Sequence, residues 1–152
     1  MKANTRFFGE IDIEEDKLIH FENGIIGFPE LKTFTLIYDE EKKGKTSISW
    51  LQSMEEPELA LPVMNPLDVE ADYNPTVEDE FIKPLGEFTQ DDLFVLVTVT
   101  VPKDIKKIAV NLKAPIIINT KTRNAGQLIV ENDYPVKYQI YDLIKKEEKA
   151  GE

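Results

Sequence analysis

Carboxylates dominate the groups of this chain that could do chemistry: 29 Asp and Glu stand beside 18 Lys and Arg, a single histidine, His20, and no cysteine. Ser-His-Asp or Cys-His catalysis needs a base that takes the nucleophile's proton near neutral pH. His20 is the one imidazole on offer, and in Leu18-Ile19-His20-Phe21 it reads as a partly buried ring with a satisfied nitrogen. The same count removes the common ligands of zinc, iron-sulfur and haem sites, so no cofactor is expected. Asp68, Glu70, Asp72 and Asn74 are spaced like the opening of a calcium loop, but its glycine position holds Tyr73 and its final glutamate position holds Asp79. A strand with Val69, Ala71 and Tyr73 inward and the acids in water accounts for the same spacing, and no metal site is expected. Gly24-Ile25-Ile26-Gly27 lacks the Gly-Lys-Ser/Thr of a P-loop and reads as a constrained turn before Phe28-Pro29. Carboxylate pairs for glycoside hydrolysis need only meet in space, at roughly 5 to 10 Å. A carboxylate-dependent hydrolase on an all-β scaffold is therefore the alternative reading, and it requires a concave, aromatic-lined pocket in which one of two acids has a raised pKa. A calcium-dependent structural module is a third.

The formal charge of −11 is concentrated in the middle of the chain. Residues 46–102 hold one base, Lys83, and twelve acids: Glu55, Glu56, Glu58, Asp68, Glu70, Asp72, Glu78, Asp79, Glu80, Glu87, Asp91 and Asp92. The remainder is balanced, with 17 of each sign. A solvated surface explains any one cluster; the concentration of all twelve points to a cationic protein partner. Direct nucleic-acid binding is disfavoured, because phosphate neutralisation needs a basic patch. The partner-contact candidates are Glu55, Glu56, Glu58, Asp68, Glu70, Asp72, Glu78, Asp79 and Glu80.

The elements that would position these acids have mostly a period of two. Phe7, Gly9, Ile11 and Ile13 alternate with Phe8, Glu10 and Asp12; Phe34, Leu36 and Tyr38 with Thr35 and Ile37; Ile48, Trp50 and Gln52 with Ser49, Leu51 and Ser53. Residues 93–101, LFVLVTVTV, suit a central strand, with further strands at 108–111 and 116–119 and a hairpin turn at Lys103-Asp104. The predicted fold is mainly β, a small closed or partly open antiparallel barrel or sandwich with at most short helices. Residues 79–85 suit a short helical turn, and 141–149 a frayed terminal helix. One domain over 1–142 with a charged, mobile tail over 143–152 is the simplest organisation. At 152 residues the chain can bury roughly two-thirds of its unfolded surface. Its longest apolar run falls far short of the ~20 residues that span a bilayer. The N-terminal MKANTRFFGEIDIEED has no apolar stretch of the signal-peptide kind, and with zero cysteines it favours the cytoplasm, away from membranes.

Three blocks in order carry a resemblance. Gly24-Ile25-Ile26-Gly27-Phe28-Pro29 with Leu31 is the first. Trp50-Leu51-Gln52-Ser53 running into Pro57-Glu58-Leu59-Ala60-Leu61-Pro62-Val63 and Asn65-Pro66 is the second. The third is Asn111-Leu112-Lys113-Ala114-Pro115-Ile116-Ile117-Ile118-Asn119. Together with Gln127-Leu128-Ile129 and Tyr134-Pro135-Val136-Lys137, where arginine is more usual than Lys137, they resemble the flagellar assembly factor family FliW from about Phe7 to Tyr138. The resemblance implies a β-barrel-like protein without enzymatic activity. Such a protein binds flagellin in the cytoplasm and, when free, binds and allosterically antagonises the RNA-binding translational regulator CsrA, relieving repression of flagellin synthesis. Pro29, Pro57, Pro62, Pro66, Pro115, the two glycines of the first block, Trp50 and residues 116–118 are expected to be architectural, with Trp50 in the core.

Overall fold

The computed structural model describes residues 2–38 and 48–143. Strands β1 (Lys2–Thr5) and β2 (Gly9–Asp12) form a separate antiparallel hairpin. The main sheet takes β3 (Leu18–Phe21), β4 (Thr33–Tyr38), β5 (Ser49–Ser53) and β6 (Ala60–Met64) as an antiparallel meander. After a long connection containing helix α1 (Asp79–Ile82) come β7 (Leu93–Thr100), β8 (Ala109–Val110), β9 (Ile116–Asn119), β10 (Asn124–Gln127) and β11 (Tyr138–Gln139). Seven strands close a ring in the order β7-β6-β5-β4-β3-β10-β9 and back to β7. All these pairings are antiparallel except β3 with β10.

Closure depends on how β7 is divided. Leu93 to Leu96 pair with β9, while Val99 and Thr100 pair with β8, which in turn carries β11. The barrel interior is filled by Ile19, Phe21, Phe34, Leu51, Val63, Leu96, Ile116 and Ile118, with Phe21 and Phe34 edge to face at 5.3 Å. A second core, of Met64, Val69, Tyr73, Val97, Val99, Ile108, Leu112 and Ile140, lies outside the ring. Strand β7 thus has apolar contacts on both faces, which is why its sequence is an almost unbroken apolar run instead of an alternation.

The strands at 33–38, 49–53, 93–100 and 116–119 stand where periodicity placed them, and the short helix over 79–82 ends in a 3₁₀ turn at Lys83–Leu85. Gly24 has φ +68°, and a Cβ there would lie 2.5 Å from the Pro29 carbonyl oxygen, so the turn of the first block requires glycine. Four expectations differ. Phe7 and Phe8 lie in the turn between β1 and β2, both exposed, because the hairpin folds back at that point. Trp50 is half-buried and lies against Phe7 (4.4 Å between ring centroids) on the outer wall instead of in the core. His20 is exposed, since its strand neighbours Ile19 and Phe21 take the inward positions. Residues 68–74 are not a strand. Pro66–Asp68 form a 3₁₀ turn, and the Glu70 and Tyr73 amides donate to the Pro66 and Glu70 carbonyls; Val69 and Tyr73 are buried but Ala71 is exposed. Of the expected tail over 143–152, everything after Leu143 lies outside the described residues.

Gln52 joins the hairpin to the barrel. Its buried carboxamide donates to the carbonyls of Ser53, Pro57 and Leu59 and accepts the Arg6 amide at 3.0 Å. Gln52→Leu removes all of these bonds, with the Leu59 carbonyl keeping only the Ser53 amide, and a loss of about 2–4 kcal/mol is expected in urea unfolding. A loss below about 0.5 kcal/mol would contradict this assignment.

Candidate functional site

Residues 65–92 connect β6 to β7, and with every barrel position taken they run along the outer wall. Side-chain hydrogen bonds in both directions hold them there. The Tyr73 hydroxyl donates to the Leu112 carbonyl at 2.7 Å, the Asn74 amide donates to the Tyr134 hydroxyl at 2.9 Å, and the Thr76 amide donates to Asn132 Oδ1 at 2.8 Å. At the far end fully buried Asn119 donates to the carbonyls of Leu85, Gly86 and Glu87 while its Oδ1 accepts the Lys121 and Thr122 amides. Between these anchors lies α1, with Glu78 at its N-cap and Asp79 and Glu80 in its first turn, all three exposed. Negative charge is favourable at a helix N-terminus, so the position suits the acids without spending them on a fixed partner.

Three grooves meet along α1. Glu78 and Phe81 face residues 128–132 across a groove of about 470 Å³ that also holds Glu131. Glu80 and Phe81 line a second, of about 380 Å³, with Glu22, Ile25, Ile26 and Gln127. Asp79 lines a third with Lys83, Phe88 and Lys121. The Phe81 ring lies on the backbone of Gly126, where a Cβ would come within 2.9 Å of it. Ile26 and Ile129 are 51% and 65% exposed, so the first two grooves carry apolar surface beside their acids.

The other predicted contact residues are dispersed. Glu55, Glu56 and Glu58 stand in the β5–β6 loop. The Glu55 carboxylate accepts the amides of Lys32 (2.5 Å) and Thr33 (2.7 Å), that of Glu56 accepts the Glu58 amide, and the Glu58 carbonyl accepts from Arg6. Glu55 is thus a turn-forming group as well as a surface charge. Glu70 accepts from the Asp72 amide and the Tyr138 hydroxyl; Asp68 and Asp72 are exposed. Among the described residues no three acids or histidines gather in a way that could hold a metal ion. Nor do the first two grooves meet the hydrolase requirement for several aromatic platforms, since Phe81 is the one aromatic in each. Asp92 is held below the usual carboxylate range by the Thr89 amide, opposite to what a general acid needs. Phe81, Ile26, Ile129 and Glu131 were not legible as site residues: their spacing along the chain does not set them together, and only the structure shows that Ile26 and Ile129 face water.

Burial, then the neighbouring Tyr134, pushes the Tyr73 hydroxyl well above its ordinary range. Burial also raises Tyr138, helped by the charge of Glu70 and the hydrogen bond to it. A raised folded-state pKa contributes stability that is complete below the unfolded value of about 10 and is lost as pH rises above it. Tyr73→Phe should therefore cost about 1–2 kcal/mol at neutral pH and flatten the alkaline fall in stability. Denaturation followed from pH 7 to 11 checks this; an unchanged alkaline slope would refute it.

The sequence family described as FliW protein matches residues 2–140. The chain is 53% identical to a flagellar assembly factor FliW of Lachnospira eligens over 97% of this chain and 99% of that one. It is 44% identical to that of Lachnoclostridium phytofermentans, over 98% and 96%. A crystal structure of the flagellar assembly factor FliW superposes with a TM-score of 0.82 at 30% identity, covering 92% of this chain and 96% of the other.

Proposed function

The chain belongs to the FliW protein family, and from that premise we propose that it is a non-catalytic flagellar assembly factor. It acts in the cytoplasm, where it binds flagellin; when flagellin has been exported, the freed factor binds CsrA and relieves repression of flagellin synthesis. For such antagonism to be allosteric, the factor must bind the RNA-free conformation of the regulator more tightly than the RNA-bound one. No helix among the described residues is long and apolar enough to cross a membrane.

One observation carries the reading: three exposed acids, Glu78, Asp79 and Glu80, on a helix anchored to a rigid barrel between grooves that also offer apolar surface. An RNA-binding regulator displays cationic surface, and an acidic helix steers it to encounter while repelling RNA from the complex. Apolar groove surface suits capture of a segment from an unassembled filament subunit.

Calorimetric titration with purified flagellin and purified CsrA tests both partners. Binding of each is expected, with CsrA affinity falling about tenfold or more between roughly 0.1 and 0.5 M NaCl. The triple variant Glu78→Lys, Asp79→Lys, Glu80→Lys should weaken CsrA at low salt by a similar factor with the fold intact. Reversal at Glu55 is a poorer test, because its carboxylate also holds the Lys32 and Thr33 amides. CsrA binding indifferent to salt and to the triple reversal would overturn the electrostatic account; binding of neither protein would overturn the function.

A further inference from the structure

The segment after β10 stays extended to Val130, with one side paired and the other open, and bends at Glu131 and Asn132. Its Leu128 and Val130 amides donate to the Pro115 and Lys113 carbonyls, at 3.2 and 2.9 Å. In an extended chain alternate residues turn their N–H and C=O groups to opposite sides, so both groups of Ile129 and the N–H of Glu131 turn away from residues 113–115. No hydrogen bond to them is made by any described residue. Strand β3, which lies beside β10 through Asn124 and Ala125, leaves the sheet after Phe21. The 470 Å³ groove opens at this place, between residues 128–132 and the stretch from Thr76 to Phe81.

Sheet edges left in water are normally guarded by lysine, proline or a covering segment. Here the edge has Ile129, 65% exposed, and its groove is lined by Thr76, Glu78, Phe81, Glu131 and Asn132, without a base. The nearby Lys113 ammonium is occupied by the Asn132 carbonyl at 2.6 Å. Asn132 and Thr76 close the far end through hydrogen bonds between their side chains and from the Thr76 amide.

We propose that the edge formed by Ile129 and Glu131 is a β-strand addition site that takes an extended segment of another protein, apolar on one face and bearing lysine or arginine. The segment's backbone pairs with the Ile129 amide and carbonyl and the Glu131 amide, its apolar side chains contact Phe81 and Ile129, and its cations meet Glu78 and Glu131. Affinity comes from the main chain and selectivity from the acids. This goes beyond the assignment of flagellin and CsrA as partners and does not rest on it, since the site is read through its own amides.

Amide exchange by NMR, with the full chain and a synthetic dodecapeptide of alternating valine and lysine, tests the site. In the free protein the Ile129 and Glu131 amides should exchange at least about a hundredfold faster than those of Leu128 and Val130. With peptide they should slow by about tenfold or more. The same peptide N-methylated at alternate residues, which cannot pair, should fail to bind, and so should the unmodified peptide with Ile129→Pro. That variant removes an N–H with no protein partner and should fold normally. Glu131→Lys should weaken the lysine peptide and favour one with glutamates in place of lysines. Protection of Ile129 and Glu131 in the free protein would overturn the proposal. So would equal binding of the methylated peptide, no binding at about 1 mM peptide, or self-association that protects these amides as protein concentration rises, which would give the edge to a second copy.

Discussion

Closure of the seven-stranded ring through the pairing of β7 with β9 is the constraint on which the other features depend. A barrel removes open edges only if each strand finds two neighbours. Strand β7 meets this by pairing with β9 over its first half and with β8 over its second. Because the ring is full, residues 65–92 cannot enter it and must pass over the outer wall. A chain there still has backbone groups to satisfy; Tyr134, Asn132 and Asn119 take several of them, and the Tyr73 hydroxyl holds the Leu112 carbonyl in return. The acid-rich connection is thereby held in one place without being buried.

This arrangement separates two kinds of acid that composition treats alike. Glu55 and Glu70 accept hydrogen bonds from amides, and Glu70 also from a tyrosine, which fixes local turns. Glu78, Asp79 and Glu80 have the helix N-terminus behind them and solvent in front. Exposed charges act at range and are screened by salt, so it is the second group, beside the apolar groove surface at Ile26 and Ile129, that meets the needs of the proposed steering.

Much of the barrel was legible in the sequence because its strands obey simple rules: 33–38 and 49–53 by alternation, 93–100 by an apolar run with contacts on both faces, and the turn at Gly24 by its glycines. The failures share a cause. Asp68, Glu70 and Asp72 alternate like a strand, but Pro66 and the hydrogen bonds onto its carbonyl wind the chain into turns. His20 and Trp50 took their sides from the pairing of β3 and from the docked hairpin, neither of which is local. The acids of α1 were found through charge alone. Phe81, Ile129 and Glu131 needed the structure, because their meeting depends on a connection crossing the wall and not on spacing along the chain.

Carboxyl footprinting locates the acids that meet the regulator: the protein is labelled with a carbodiimide and a small amine, free and in complex with CsrA, and each acid is read by mass spectrometry. Glu78, Asp79 and Glu80 should label readily in the free protein and be protected in the complex, while Glu55 should be unchanged between the two. A complex that forms with these three acids as reactive as before would contradict this.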